Sequence, residues 1–230
     1  MVRLVIDGGV YAADPMPVEP VTLTTGDGVT LEAELGTAPD GEGARAGMVL
    51  CHPHPLHGGT MRSIVISALF GALPDSGIAC VRFNFRGVEA SSGVHGKGDG
   101  ERLDALAAID ELASRLPPGV PLVLAGWSFG ADVALSVHDP RLAAWVGIAC
   151  PLHYIRDQDV LARDPRPKLL ALAQHDEVRA ADEVAAVAAS WSNTTVEVVR
   201  GASHFFVGTT DQLVVLARDF VGRVAGEVPG

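Results

Sequence analysis

The chain has 230 residues, 48% of them hydrophobic and only 5% aromatic, with a formal net charge of −11. That length suits one α/β domain whose core is mostly Val, Leu, Ile and Ala. The acidic balance speaks against a phosphate backbone, and no apolar stretch approaches the roughly 20 residues of a membrane span, so neither nucleic acid nor membrane is expected as a partner.

The opening residues meet acidic side chains too early for a secretory leader. Cys51, Cys80 and Cys150 each lie in or at the end of an apolar run, as small core residues do, and an odd, sparse set suits a reducing compartment. The expected location is the cytoplasm. Up to Leu35 the pattern reads as β, with 18–24 and 29–35 flanking the hairpin signal Gly26-Asp27-Gly28. A loop rich in Gly and Ala follows over 36–47. From there strands alternate with helices. The strand candidates are 48–51, 78–85, 122–125, 143–149, 169–173 and 194–199. Most are unbroken apolar runs, the signature of parallel strands covered on both faces. Met61, Ile64, Val65, Ala68, Leu69 and Ala72 share one helical face, and Leu213, Val214, Ala217, Phe220, Val221 and Val224 share another. Residues 91–100 are polar and Gly-rich and are expected to loop over the functional edge. The alternation predicts a single α/β domain over 1–230, with a mostly parallel sheet and helices on both faces.

The chemistry is concentrated at strand ends. After strand 48–51 comes a loop with His52, His54 and His57. It invites a metal reading, but it holds no carboxylate to complete a ligand set, and no metal is expected. Further on, a buried strand runs into Gly126-Trp127-Ser128-Phe129-Gly130 and then a helix over 131–138. This is G-x-S-x-G in the strand–turn–helix setting that the motif requires. A Cβ at either Gly would collide in so sharp a turn, and Ser128 would sit at its tip as an exposed nucleophile. A dinucleotide loop is excluded, because G-x-G-x-x-G is absent. A serine hydroxyl needs a base, and in this topology an acid and then a histidine follow along the chain. Strand 169–173 runs into Asp176 and Glu177, of which Asp176 fits the position better, with Asp182 a further rival. His204 follows strand 194–199 and a turn at Gly201. The amide of Phe129, at a helix N-terminus, is one expected oxyanion donor. The other is the amide of His54, held between two prolines that have no N–H.

The motifs His-Pro-His-Pro-x-x-Gly-Gly-Thr-Met at 52–61, Arg-Phe-Asn-Phe-Arg-Gly-Val at 82–88, Gly-Trp-Ser-Phe-Gly, Asp-Glu-Val at 176–178 and Ser-His-Phe-Phe at 203–206 together resemble the small bacterial α/β hydrolases. These are predicted esterases related to dienelactone hydrolases. The resemblance spans about residues 20–225. It implies the α/β-hydrolase fold, a Ser-Asp-His triad and no cofactor. Similar chains carry Gly where this one has Glu89, and a Glu forced to positive φ is strained, so a reshaped loop is expected there.

The expected activity is hydrolysis of small or short-acyl carboxylic esters through an acyl-enzyme. The alternatives are a thioesterase or acyltransferase on the same triad, or a non-catalytic binding protein that uses the pocket as a receptor. The complete set of Ser128, Asp176 and His204 argues against the last. The expected partner is a small-molecule ester, and nothing in the sequence sets an oligomeric state. Only 151–167 lies where larger relatives insert a lid, too short for a domain with its own core. The site is therefore expected to be open, walled by that segment, by 52–59 and by 91–100.

Overall fold

The computed structural model describes residues 3–6, 9–12, 17–37 and 43–226, the first two as backbone strands only. Part of the opening segment (1–2, 7–8 and 13–16) and part of the expected 36–47 loop (38–42) lie outside the described residues. Strands β1 (Arg3–Ile6) and β2 (Gly9–Ala12) form a separate antiparallel hairpin.

The main sheet has eight strands. Its members are β3 (Val18–Thr24), β4 (Thr30–Gly36), β5 (Ala46–Cys51), β6 (Ile78–Phe83), β7 (Leu122–Trp127), β8 (Leu142–Ile148), β9 (Lys168–His175) and β10 (Thr194–Ser203). The spatial order is β10-β9-β8-β7-β5-β6-β4-β3. Strands β5 to β10 pair in parallel, while β4 runs antiparallel to both β3 and β6. The expected fold is therefore observed. Central β7 is buried at every position because helices cover both its faces. Edge strand β10 is half exposed, so its Val and Thr run is not evidence of a central place.

On one face lie α1 (Ile64–Ala72) and α6 (Thr210–Val224), whose Ile66, Phe70, Leu213 and Phe220 join one core cluster. On the other lie α2 (Asp99–Arg115), α3 (Phe129–Leu135), α4 (Gln158–Arg163) and α5 (Ala181–Ala188), joined through Ile109, Val133, Leu161 and Val184. Between β8 and β9 the chain carries only α4, and no lid domain is present there.

Several boundaries depart from the sequence reading. Helix α3 starts at Phe129 rather than at 131, so Ser128 alone separates strand from helix. Met61 is buried but precedes α1. Strand β10 continues through Gly201, with a register shift against β9 instead of a turn. Helix α2 begins inside the expected 91–100 loop, because the Glu101 carboxylate accepts from the amides of Gly96 and Gly98 at 2.7 and 2.8 Å and caps its first turn. Cys51, Cys80 and Cys150 are free and buried.

Candidate active site

The turn after β7 places Ser128. Its backbone has φ +56° and ψ −122°, an unfavourable conformation for a residue with a Cβ. The neighbouring glycines permit it. A Cβ on Gly126 would fall on the Gly130 carbonyl, and one on Gly130 would fall on the carbonyls of Cys51 and His52. The Ser128 amide is secured to the Ile148 carbonyl at 2.9 Å.

The structure brings the three side chains singled out in the sequence into one hydrogen-bonded line. Ser128 Oγ lies 2.9 Å from His204 Nε2. On the far side of the ring, Nδ1 lies 2.9 and 3.0 Å from the two oxygens of Asp176. A carboxylate only accepts, so this pairing sets Nδ1–H and leaves Nε2 free to accept the serine proton. Asp176 is itself held by the amides of Val178 and Arg179, at 2.9 and 3.2 Å. Its rival Glu177 also touches the histidine, but at the backbone: its Oε2 accepts from the His204 amide at 3.2 Å. The indole N–H of Trp127 donates to the His204 carbonyl at 3.0 Å, so the residue before the serine anchors the histidine loop.

Phe129 and His54 both line the same cleft, and no backbone hydrogen bond from either amide is found among the described residues. The peptide that carries the His54 N–H is oriented by His52. The fully buried His52 ring has Nδ1 2.7 Å from the Pro53 carbonyl, while Nε2 accepts from the Phe85 amide at 3.0 Å. These partners require Nδ1–H. Burial lowers the His52 pKa to about 4, which keeps the ring neutral. In a trans peptide the C=O and N–H point opposite ways, so holding the Pro53 carbonyl turns the His54 N–H away from His52. Gly59 completes the clamp, since a Cβ there would land on the Pro53 carbonyl. The other end of the loop is tied by Asn84, whose Oδ1 accepts from the Met61 amide at 2.8 Å. The motif at 82–88 thus grips the histidine loop at two points.

His52 and Asn84 were not singled out by the sequence as site residues. Their signal is a polar side chain ending an apolar strand. Asn84 Nδ2 also donates to Glu89 Oε2 at 2.7 Å. Glu89 does take the left-handed conformation, at φ +48°. The hydrogen bond from Asn84 offsets part of the strain of about 1 kcal/mol that this conformation costs a residue with a Cβ.

The cleft over Ser128 has a volume of about 520 Å³. Its walls are the Pro53–Gly59 stretch, Ile64 at the start of α1, Pro151 with His153 and Tyr154, and Val178 and Phe205. The expected wall at 91–100 is a correction: none of those residues borders the cleft. Glu101 draws that loop down onto α2, and His95 ends behind the rings of His54 and Phe129, at 5.0 and 5.4 Å between centroids. The His54 ring stacks on His57 at 4.6 Å, and its Nδ1 accepts from the Leu56 amide at 3.2 Å. Burial, with smaller contributions from His57 and His95, lowers its pKa. Among the described residues, no three His, Cys, Asp or Glu side chains are grouped as a metal would require. No helix of the described residues is long and apolar enough to cross a membrane.

Residues 44–215 match the family model of the alpha/beta hydrolase domain. An uncharacterized Rickettsia prowazekii protein is 31% identical over 183 residues, covering 75% of this chain and 77% of its own. The structure of an alpha-beta serine hydrolase homologue from Coxiella burnetii superposes with a TM-score of 0.77 at 32% identity, covering 88% of this chain and 96% of that one. A Xanthomonas campestris serine hydrolase without a lid superposes at TM-score 0.77 and 27% identity, covering 95% of this chain and all of its own.

Proposed function

The chain belongs to the alpha/beta hydrolase domain family, and we propose that it is a serine carboxylesterase acting on small esters through Ser128, His204 and Asp176. The observation that carries this reading is the unbroken line from Ser128 Oγ through the His204 ring to Asp176, with each link at 2.9–3.0 Å. In the proposed reaction Ser128 Oγ attacks the ester carbonyl while His204 Nε2 takes its proton. Asp176 holds the ring and stabilises the imidazolium. The amides of Phe129 and His54 receive the oxyanion. Collapse breaks the bond to the alcohol, which leaves with the proton from His204, and an acyl-serine remains. Water, deprotonated by His204, then releases the acid. Every group needed is a side chain or amide of this chain, and the reading calls for no cofactor.

The relation to dienelactone hydrolases rests on the 52–61 loop together with the motifs at 82–88, 126–130, 176–178 and 203–206, and it is part of the same proposal. So are a single domain over 1–230, a cytoplasmic place of action and a small-molecule ester as partner. The test is labelling with a fluorophosphonate, together with turnover of p-nitrophenyl esters, with Ser128→Ala as control. Labelling and turnover that both vanish in the variant are expected. A wild-type protein that takes no label would leave a binding protein as the reading. Faster turnover of acyl-CoAs than of matched esters would make it a thioesterase.

A further inference from the structure

Helix α3, which follows the nucleophile turn, reads Phe-Gly-Ala-Asp-Val-Ala-Leu. Its one charged residue, Asp132, is fully buried. A buried carboxylate is costly unless it is bonded, and this one is bonded in an unusual way. Oδ1 accepts from the Leu152 amide at 2.9 Å, and Oδ2 accepts from the amides of His153 and Tyr154 at 2.7 and 2.8 Å. One turn later, Ser136 Oγ accepts from the Arg156 amide at 2.7 Å and donates to the Asp132 carbonyl at 2.6 Å. The side chains of Asp132 in this helix and of Ser136 just after it therefore hold the chain over 152–156. The held segment is under strain, since Leu152 has φ +58°. Such a conformation persists where surrounding contacts over-determine it.

This segment stands where a lid would be inserted. Its Pro151, His153 and Tyr154 form one wall of the cleft. The Tyr154 ring meets Phe129 edge-on at 5.1 Å, and its hydroxyl lies 3.4 Å from His54 Nε2. The wall thus touches both residues whose amides are the proposed oxyanion donors. A carboxylate suits the task because it accepts at both oxygens. Asn would offer one oxygen and turn an NH₂ group against at least one amide.

Resting on the esterase reading above, we propose that Asp132 is a positioning residue that fixes the substrate wall at 151–154 to the nucleophile helix, so that Ser128 and Tyr154 keep a set separation. The bonds made by Ser136 are a second tie in the same joint. Loss of the joint should weaken the grip on substrate groups that reach Tyr154 more than it slows the chemistry at Ser128.

The test compares wild type, Asp132→Asn and Ser136→Ala by two readouts. The first is amide hydrogen exchange, and the second is KM and kcat on p-nitrophenyl acetate and p-nitrophenyl benzoate. In Asp132→Asn the amides of Leu152, His153 and Tyr154 should exchange more than about tenfold faster. The KM for the benzoate should rise about tenfold, with kcat falling no more than about threefold, the pattern of lost uniform binding. Ser136→Ala should move both readouts in the same direction by less. Unchanged exchange at 152–154, or a fall in kcat on both esters with KM unchanged, would overturn the proposal, because the effect would then lie in the nucleophile turn. If Asp132→Asn does not fold, Ser136→Ala decides by the same readouts at 152–156. If the wild type takes no fluorophosphonate label, the esterase reading fails, and exchange alone still decides whether Asp132 holds the wall.

Discussion

Two carboxylates at adjacent positions hold His204 at different atoms, and this difference gives them different roles. Asp176 faces the ring, whereas Glu177 accepts from the backbone amide. Asp176→Asn should lower kcat by about 10⁴, because the amide no longer selects the Nδ1–H tautomer. Glu177→Gln keeps an acceptor for the His204 amide and should cost less than about tenfold. A reversed order of losses in steady-state kinetics would exchange the two roles. His52 yields a prediction about stability. Its folded pKa is about 4 against an ordinary value of 6.5, so between these values the unfolded chain binds the extra proton. Stability then rises with pH across that window and is lost on acidification. The loss attributable to His52 should reach about 3 kcal/mol by pH 4. Urea unfolding at pH 7 and pH 4 should show this extra loss in the wild type and not in His52→Gln. Equal losses in the two proteins would mean that His52 does not stay neutral in the fold.

The element that makes the site is the β7–Ser128–α3 unit, and its tolerance is set by backbone carbonyls. Carbonyls cannot step aside as a flexible side chain can. Gly130→Ala would push a methyl group against the carbonyls of Cys51 and His52, at the join of β5 and the histidine loop. Gly126→Ala would strike the Gly130 carbonyl in the same turn. Each should destabilise by about 3 kcal/mol or more, at the upper end of overpacking costs, measured by urea denaturation. Gly119, with open space around it, is the contrasting position on stereochemical crowding, although its φ of +89° still disfavours a side chain. This unit could be read from sequence because its information is local: an apolar run, five residues and a helix. The start of α2 falls inside the expected 91–100 loop, because its first turn is capped by Glu101, the third residue of the helix, which bonds back to Gly96 and Gly98.

At the scale of the whole molecule, the cleft lies between short segments, and its rim carries exposed Phe205 and Val178, at 53% and 49%. With only α4 between β8 and β9, no element of the described residues closes over a long acyl chain. Each fully buried methylene is worth about 0.8 kcal/mol, a gain that an open cleft largely forgoes. Hence kcat/KM should be highest for short acyl groups in a p-nitrophenyl series from acetyl to palmitoyl, without activation at lipid interfaces. A steady rise to the longest chains would refute the open-cleft account. The sequence by itself determined the parallel sheet, the sharp strand–Ser128–helix turn and the chain order of a serine, an acidic turn at 176–177 and His204, because strand burial and turn geometry are written in neighbouring residues. Only the tertiary structure decided which acid meets the imidazole ring, that His52 orients the Pro53 carbonyl, that residues 91–100 stay off the cleft and that Asp132 grips three amides some 20 residues downstream. Those pairings join segments far apart in the chain, and no local periodicity records a hydrogen bond whose partner arrives from another strand.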